Sequence, residues 1–80
     1  MKYLYFSSQH CSPCQMIKPQ IMKHKEIAII DVDKQQDIAT QYGIMSIPTL
    51  LVLGVNDIVE KQISGTKISK WLKENFKNIK

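Results

Sequence analysis

Cys11 and Cys14 are the residues of this chain best suited to chemistry, and they are its two cysteines. Two cysteines are too few for a disulfide-stapled scaffold, and a loop closed over three residues braces no fold. The N-terminus, Met1-Lys2-Tyr3-Leu4-Tyr5-Phe6, shows no long apolar core and no small-residue cleavage site, so a cytoplasmic protein is expected. In that setting C-x-x-C points to thiol–disulfide exchange or to metal binding. A polar loop, Ser7-Ser8-Gln9-His10, precedes the pair, and a helical pattern opens at Cys11. The first cysteine thus falls at a helix N-terminus, where unpaired N–H groups and the macrodipole favour a negative sulfur. A dipole contribution of about 1 kcal/mol lowers a thiol pKa by about 0.7 unit from about 8.5. Local S···H–N bonds must supply the rest to reach about 7, where abundance and nucleophilicity of the thiolate are best balanced. Cys11 is therefore assigned as the attacking thiolate, and Cys14, one turn on and more buried, as the resolving thiol.

Metal binding is the lesser alternative. One C-x-x-C supplies two thiolates, whereas structural zinc takes four ligands. Only His10 and His24 add to them, and His10 is badly placed beside Cys11. Gln15 follows Cys14, which excludes a c-type haem attachment. Small copper carriers also set C-x-x-C between a first strand and a helix, but they continue with a hairpin, whereas Asp33 to Tyr42 reads helical. His10 has two readings: an exposed loop residue, or a group that stabilises the thiolate or shuttles a proton. His24, between Lys23 and Lys25, reads as surface.

The elements that must hold the pair follow from periodicity. Lys2 to Ser7 is rich in strand formers. After Cys11, Met16, Ile17, Ile21 and Met22 recur at helical spacing, with Pro13 in the first turn and Pro19 expected to kink the interior. Ile27 to Val32 is a nearly continuous apolar run, expected of a strand covered on both faces. Asp33 to Tyr42 reads as a helix ending at Gly43. Leu50 to Leu53 is a second buried strand, Gly54-Val55-Asn56-Asp57 a turn, and Ile58 to Ile63 its antiparallel partner. A last helix runs from about Lys67 to Lys77, with Ile68, Trp71, Leu72 and Phe76 on one stripe that Ile79 extends. The order β-α-β-α-β-β-α implies an α/β fold: a four-stranded mixed sheet with helices on both faces.

Composition removes other classes of function. Eighty residues allow one domain, spanning 1–80, and 44% apolar content is ordinary for a globular chain. The net charge of +4 comes from eleven Lys and no Arg, scattered along the chain instead of clustered, which argues against nucleic acid. The uncharged stretch Ser7 to Ile17 begins polar, and the apolar stretch Thr49 to Asn56 is too short to cross a bilayer, so no membrane span is expected.

His10-Cys11-Ser12-Pro13-Cys14 with Met16-Ile17 and Pro19 resembles the active site of thioredoxins, usually Trp-Cys-Gly-Pro-Cys. The stretch Tyr42-Gly43-Ile44-Met45-Ser46-Ile47-Pro48-Thr49-Leu50-Leu51 is similar to the family's second motif, whose proline is held in cis. The Ile29-Ile30-Asp31-Val32-Asp33 strand end and Gly65 before the last helix match as well. The resemblance spans about residues 2 to 79 and implies a minimal thioredoxin-like fold. It also implies a monomeric dithiol reductase of protein disulfides that works through a reversible Cys11–Cys14 disulfide, without a bound cofactor or metal. Electrons would come from an NADPH-dependent flavoprotein, thioredoxin reductase, with clients such as ribonucleotide reductase. His10, Ser12, Pro13 and Pro48 would support the active site, and Ser46, Ile47 and Gly65 would receive the substrate chain, partly by strand-like pairing.

Three departures stand out. The first strand and helix of full-length thioredoxins are absent, His10 replaces the family's Trp, and the buried Asp–Lys proton relay is replaced by Tyr5 and Ile29. Resolution by Cys14 must then use water or another base. Tyr3 and Tyr5 read as core residues, with a Tyr5 hydroxyl near Cys14 as a second reading, and Trp71 reads as core. Met45 reads either as a soft contact for a protein substrate or as simple packing. A glutathione-dependent, glutaredoxin-like reductase is the alternative. It shares the compact size and the cis-proline loop, but Ser64-Gly65-Thr66-Lys67 lacks that family's Gly-Gly-acid signature.

Overall fold

Alternation decides the first strand: Tyr3 and Tyr5 face one side of the sheet, Leu4 and Phe6 the other. In the computed structural model, which describes residues 1–76, this strand is β1 (Lys2–Ser7). There follow α1 (Ser12–Met22), β2 (Ile27–Asp31), α2 (Gln36–Gln41), β3 (Thr49–Leu53), a 3-10 turn at Val55–Asp57, β4 (Val59–Ser64) and α3 (Lys67–Asn75). The sheet order is β2-β1-β3-β4, with β1 and β2 parallel and the other pairs antiparallel. The expected four-stranded mixed sheet with helices on both faces is therefore present. The expected continuation of the last helix through Lys77 to Ile79 lies outside the described residues.

Two apolar clusters sandwich the sheet. On one face Tyr5, Leu50 and Ile27 meet Ile17 and Ile21 of α1 and Ile68 and Leu72 of α3. On the other Phe6, Ile30, Leu51 and Leu53 meet Ile38, Ala39 and Tyr42 around α2, together with Ile44 and Ile47. β3 is buried at all five positions, since it lies between β1 and β4 with a cluster on each side. That is the continuous apolar run expected of a strand covered twice.

β2 departs from the same expectation. It is an edge strand, with Ala28 exposed and Ile29 half-buried. The helix that would cover Ala28 is only six residues long, because Asp31 to Gln35 forms turns instead of the start of a helix from Asp33. β4, the other edge, is shifted one residue from its expected bounds. It carries exposed Glu60 and Lys61, the kind of charge that discourages strand addition. The turn before it places Asn56 and Asp57 in the left-handed region, at φ 60° and 59°. Asp57 also meets Lys2 at 3.1 Å, an exposed pair worth little.

α1 runs unbroken through Pro19, which has no N–H to offer the Gln15 carbonyl. Ile17 and Ile21 face the core as expected, but Met16 and Met22 are 77% and 65% exposed and do not share their stripe. His24, expected at the surface, is 8% exposed. Its ring stacks on Phe76 at 4.5 Å, and Tyr3 and Trp71 complete that aromatic corner. The α1 C-terminus is therefore closed by α3, a contact that local hydropathy around Lys23-His24-Lys25 conceals.

Candidate active site

The loop leaving β1 delivers Cys11 to the N-terminus of α1, where it is the N-cap. Its sulfur accepts a hydrogen bond from the Cys14 N–H at 3.3 Å, and its carbonyl accepts the Gln15 N–H at 3.1 Å. A capping sulfur in that place receives the unpaired donors of the first turn and the positive end of the helix dipole. Cys11 and Cys14 are joined as a disulfide, with Cα atoms 5.2 Å apart. Burial separates the two sulfurs: Cys11 is half-buried, while Cys14 is wholly enclosed. Cys11 is therefore the more accessible of the two from solvent.

Pro13, in the first turn, and Ser12 are exposed on the outer surface of the pair. His10 is exposed too, and no side-chain hydrogen bond ties its ring to either cysteine among the described residues. Gln9, His10, Ser12, Gln15 and Met16 line an open depression of about 470 Å³ beside Cys11.

The second motif comes to the same end of the sheet through strand register. Phe6 lies opposite Thr49, so Pro48 sits alongside the chain that leaves β1 toward Cys11. The Ile47–Pro48 peptide bond is cis, and Pro48 is buried. The Ser46 carbonyl accepts from Thr49 Oγ1 at 2.7 Å, which closes the turn around the proline. Gly65 donates its N–H to the Pro48 carbonyl at 3.0 Å and has φ +63°, a left-handed conformation suited to glycine. That one bond ties the start of α3 to the proline loop. Met45 is 95% exposed, beside an apolar depression of about 210 Å³ lined by Val32, Ala39, Ile44, Ser46 and Ile47. It does not serve as core. Of the residues expected to form or support the site, His10, Cys11, Ser12, Pro13 and Cys14 lie in the C-x-x-C turn, Ser46, Ile47 and Pro48 lie in the proline loop, and Gly65 lies just before α3, bonded to Pro48.

Tyr5, which takes the place of the relay Asp, is fully buried and donates its hydroxyl to the Cys14 carbonyl at 2.9 Å. Burial pushes its pKa up from about 10 to about 12. A phenol held protonated this firmly is no base at neutral pH; its work is to fix the turn that carries Cys14.

The consequence for stability is measurable. Below about pH 10 Tyr5 keeps its proton in both folded and unfolded states and adds no pH dependence. Between about 10 and 12 the unfolded chain releases the proton while the folded one does not, so stability falls as pH rises. The loss is on the order of 2–3 kcal/mol over that window. Urea unfolding of the protein and of Tyr5→Phe should show an advantage for tyrosine that shrinks above about pH 10. A difference that stays constant to about pH 12 would contradict the assignment.

Sequence reading missed Ser8 and Asp33, which the structure joins by a hydrogen bond between Ser8 Oγ and Asp33 Oδ2. Their one signal is the pairing of Ser7 with Asp31, which depends on β1 and β2 being neighbours. Among the described residues, no group of three or more His, Cys, Asp or Glu is placed to hold a metal ion, and no helix is long and apolar enough to cross a membrane.

Comparison with known proteins points one way. The family model described as Thioredoxin matches residues 2–78. Thioredoxin of Bacillus subtilis (strain 168) is 45% identical, over 86% of this chain and 72% of that protein. Mitochondrial thioredoxin of Mus musculus is 30% identical over 92% of this chain, which spans about half (48%) of its length. Among solved structures, reduced Schistosoma mansoni thioredoxin superposes with a TM-score of 0.77 at 27% identity, covering 96% of this chain and 77% of that one. Thioredoxin 1 of Thermosipho africanus TCF52B shares the fold with a TM-score of 0.72 at 22% identity, covering 95% and 99%.

Proposed function

Because the chain belongs to the thioredoxin family, we propose that it reduces protein disulfides, with Cys11 as attacking thiolate and Cys14 as resolving thiol. It is a thiol–disulfide oxidoreductase whose Cys11–Cys14 disulfide is reversible and which needs no bound cofactor. The family match favours this reading over a glutaredoxin-like protein or a metal carrier.

The cycle follows from the different exposure of the two sulfurs, the observation that best supports the roles. In the reduced protein the Cys11 thiolate attacks one sulfur of the substrate disulfide. A mixed disulfide forms, and the other substrate sulfur leaves as a thiolate that takes up a proton. Cys14, having lost its proton, then attacks Cys11 Sγ and displaces the second substrate thiol. Two electrons and two protons have passed to the substrate, and the protein is left with the Cys11–Cys14 disulfide. Tyr5 takes no proton in this sequence, so water at the open rim or the departing substrate thiolate accepts the one from Cys14.

Ser46 and Ile47 offer backbone to an extended substrate segment, with Gly65 at the rim and Pro48 presenting no N–H of its own. His10, Ser12 and Pro13 form the floor around Cys11. Recycling falls to an NADPH-dependent flavoprotein reductase, in a reducing compartment such as the cytoplasm. Ribonucleotide reductase is a fitting client. The chain acts as a monomeric domain over 1–80.

A coupled assay tests the electron supply. NADPH with thioredoxin reductase should restore the dithiol of the oxidised protein in repeated turnovers, and glutathione with its reductase should be much slower. The opposite order would overturn the proposed source of electrons.

A further inference from the structure

Ser8 makes more polar contacts than any residue in the C-x-x-C turn. Its hydroxyl donates to Asp33 Oδ2 at 2.5 Å and accepts the His10 backbone N–H at 3.1 Å. Its carbonyl accepts the Cys11 N–H at 3.3 Å and the Gln15 Nε2–H at 2.8 Å. The residue is 6% exposed although it sits in a loop. Buried polar loop residues are kept when their hydrogen bonds are complete, and here both the hydroxyl and the carbonyl are engaged.

We propose that Ser8, locked by Asp33, is the positioning residue of the Cys11 thiolate, a proposal that rests on Cys11 being the attacking sulfur.

The hydroxyl has a single proton. Given to the Asp33 carboxylate, that proton fixes the rotor, and the lone pairs are left facing the His10 N–H. The Ser8 carbonyl then holds the Cys11 N–H directly and the first turn of α1 through Gln15. Asp33 is itself held in place: its N–H donates to Asp31 Oδ1 at 2.9 Å, and next to it Val32 donates its N–H to the Ser7 carbonyl at 2.9 Å. The cysteine loop is thus strapped to the end of β2, 25 residues away in sequence. What the strap secures is the direction of the Cys11 sulfur toward the Cys14 N–H, the donor that stabilises its negative charge. Small displacements of a reacting group have large kinetic effects, which is why a contact remote from the sulfur reaches its reactivity.

The test is alkylation of the reduced protein by iodoacetamide across about pH 5 to 9, with the modified cysteine identified by peptide mass. Ser8→Ala should slow alkylation of Cys11 at neutral pH by about fivefold, the weight of one net hydrogen bond, and move its pH profile upward. Asp33→Ala should do the same, and the double variant should be no slower than either single one. Asp33→Asn keeps an acceptor oxygen and should stay near the unsubstituted protein. A purely structural role would lower the urea midpoint and leave the pH profile where it was; that outcome overturns the proposal, as does additivity of the two substitutions. If Ser8→Ala does not fold, the exposed Asp33 variants decide. Preferential alkylation of Cys14 in the unsubstituted protein would overturn the nucleophile assignment and this proposal together, and the peptide map separates that result from a failure of the strap alone.

Discussion

Cys14→Ser, mixed in reduced form with a disulfide-bonded protein, is expected to accumulate as a one-to-one covalent adduct through Cys11. In the proposed cycle the incoming disulfide is met by the half-buried Cys11, while Cys14 is enclosed and bonded to the sulfur beside it on its own turn. Serine keeps the size and hydrogen bonding of the resolving residue but cannot displace a thiol from a disulfide. The first exchange therefore proceeds and the second stops. Cys11→Ser removes the attacking group itself, and disulfide reduction should fall by about a thousandfold or more with no adduct. Non-reducing electrophoresis and intact mass distinguish the three proteins. An adduct that forms with Cys11→Ser and not with Cys14→Ser would reverse the two roles.

Phe6→Ala is expected to leave little folded protein at 37 °C. Phe6 is fully buried on the α2 face of β1, with Ile30 and Leu51 in the same cluster and the Tyr42 ring edge-on at 6.4 Å. Truncating a core Phe costs about 3–5 kcal/mol, against a total of about 5–15 kcal/mol for a typical domain. A chain this short belongs at the low end of that range. The site suffers with the core, because the loop carrying Cys11 begins just beyond Phe6 and α2 helps to hold the Ile44–Ile47 segment. Phe6→Leu, which refills most of the volume, should cost roughly half as much or less. Thermal unfolding followed by circular dichroism reads both. A midpoint for Phe6→Ala within a few degrees of the unsubstituted protein would show that this side of the sheet contributes little, contrary to its burial.

What could be read before folding was what local spacing encodes. C-x-x-C at a helix start, the two prolines of the motifs, and the strand–helix order all survive intact because each depends on neighbours in sequence. Burial at the edges did not survive. Ala28 lies in an apolar run like that of β3, yet one run ends at the edge of the sheet and the other in its middle, and only strand order separates them. His24 looks polar among lysines, but α3 returns to stack Phe76 on it. Met16 and Met22 fit a helical stripe by hydropathy, although the buried stripe of α1 runs through Cys14, Ile17 and Ile21 and leaves both methionines exposed. Tyr5 is the instructive case. Its alternation with Tyr3 placed it in the core, whereas its bond to the Cys14 carbonyl depends on α1 crossing directly above β1. Ser8 and Asp33 were hidden for the same reason, since the parallel pairing of β1 with β2 brings them together.

The central claim, that the Cys11–Cys14 pair acts as a reductant of protein disulfides, is tested most directly by its equilibrium reduction potential. The pair would be equilibrated with graded mixtures of reduced and oxidised dithiothreitol, the thiols trapped, and the two forms counted by mass. A two-electron transition near about −270 mV is predicted, the value of a thioredoxin-like donor. A potential above about −200 mV would make the protein an oxidant or isomerase, and failure to form a two-electron couple at all would contradict the redox account altogether.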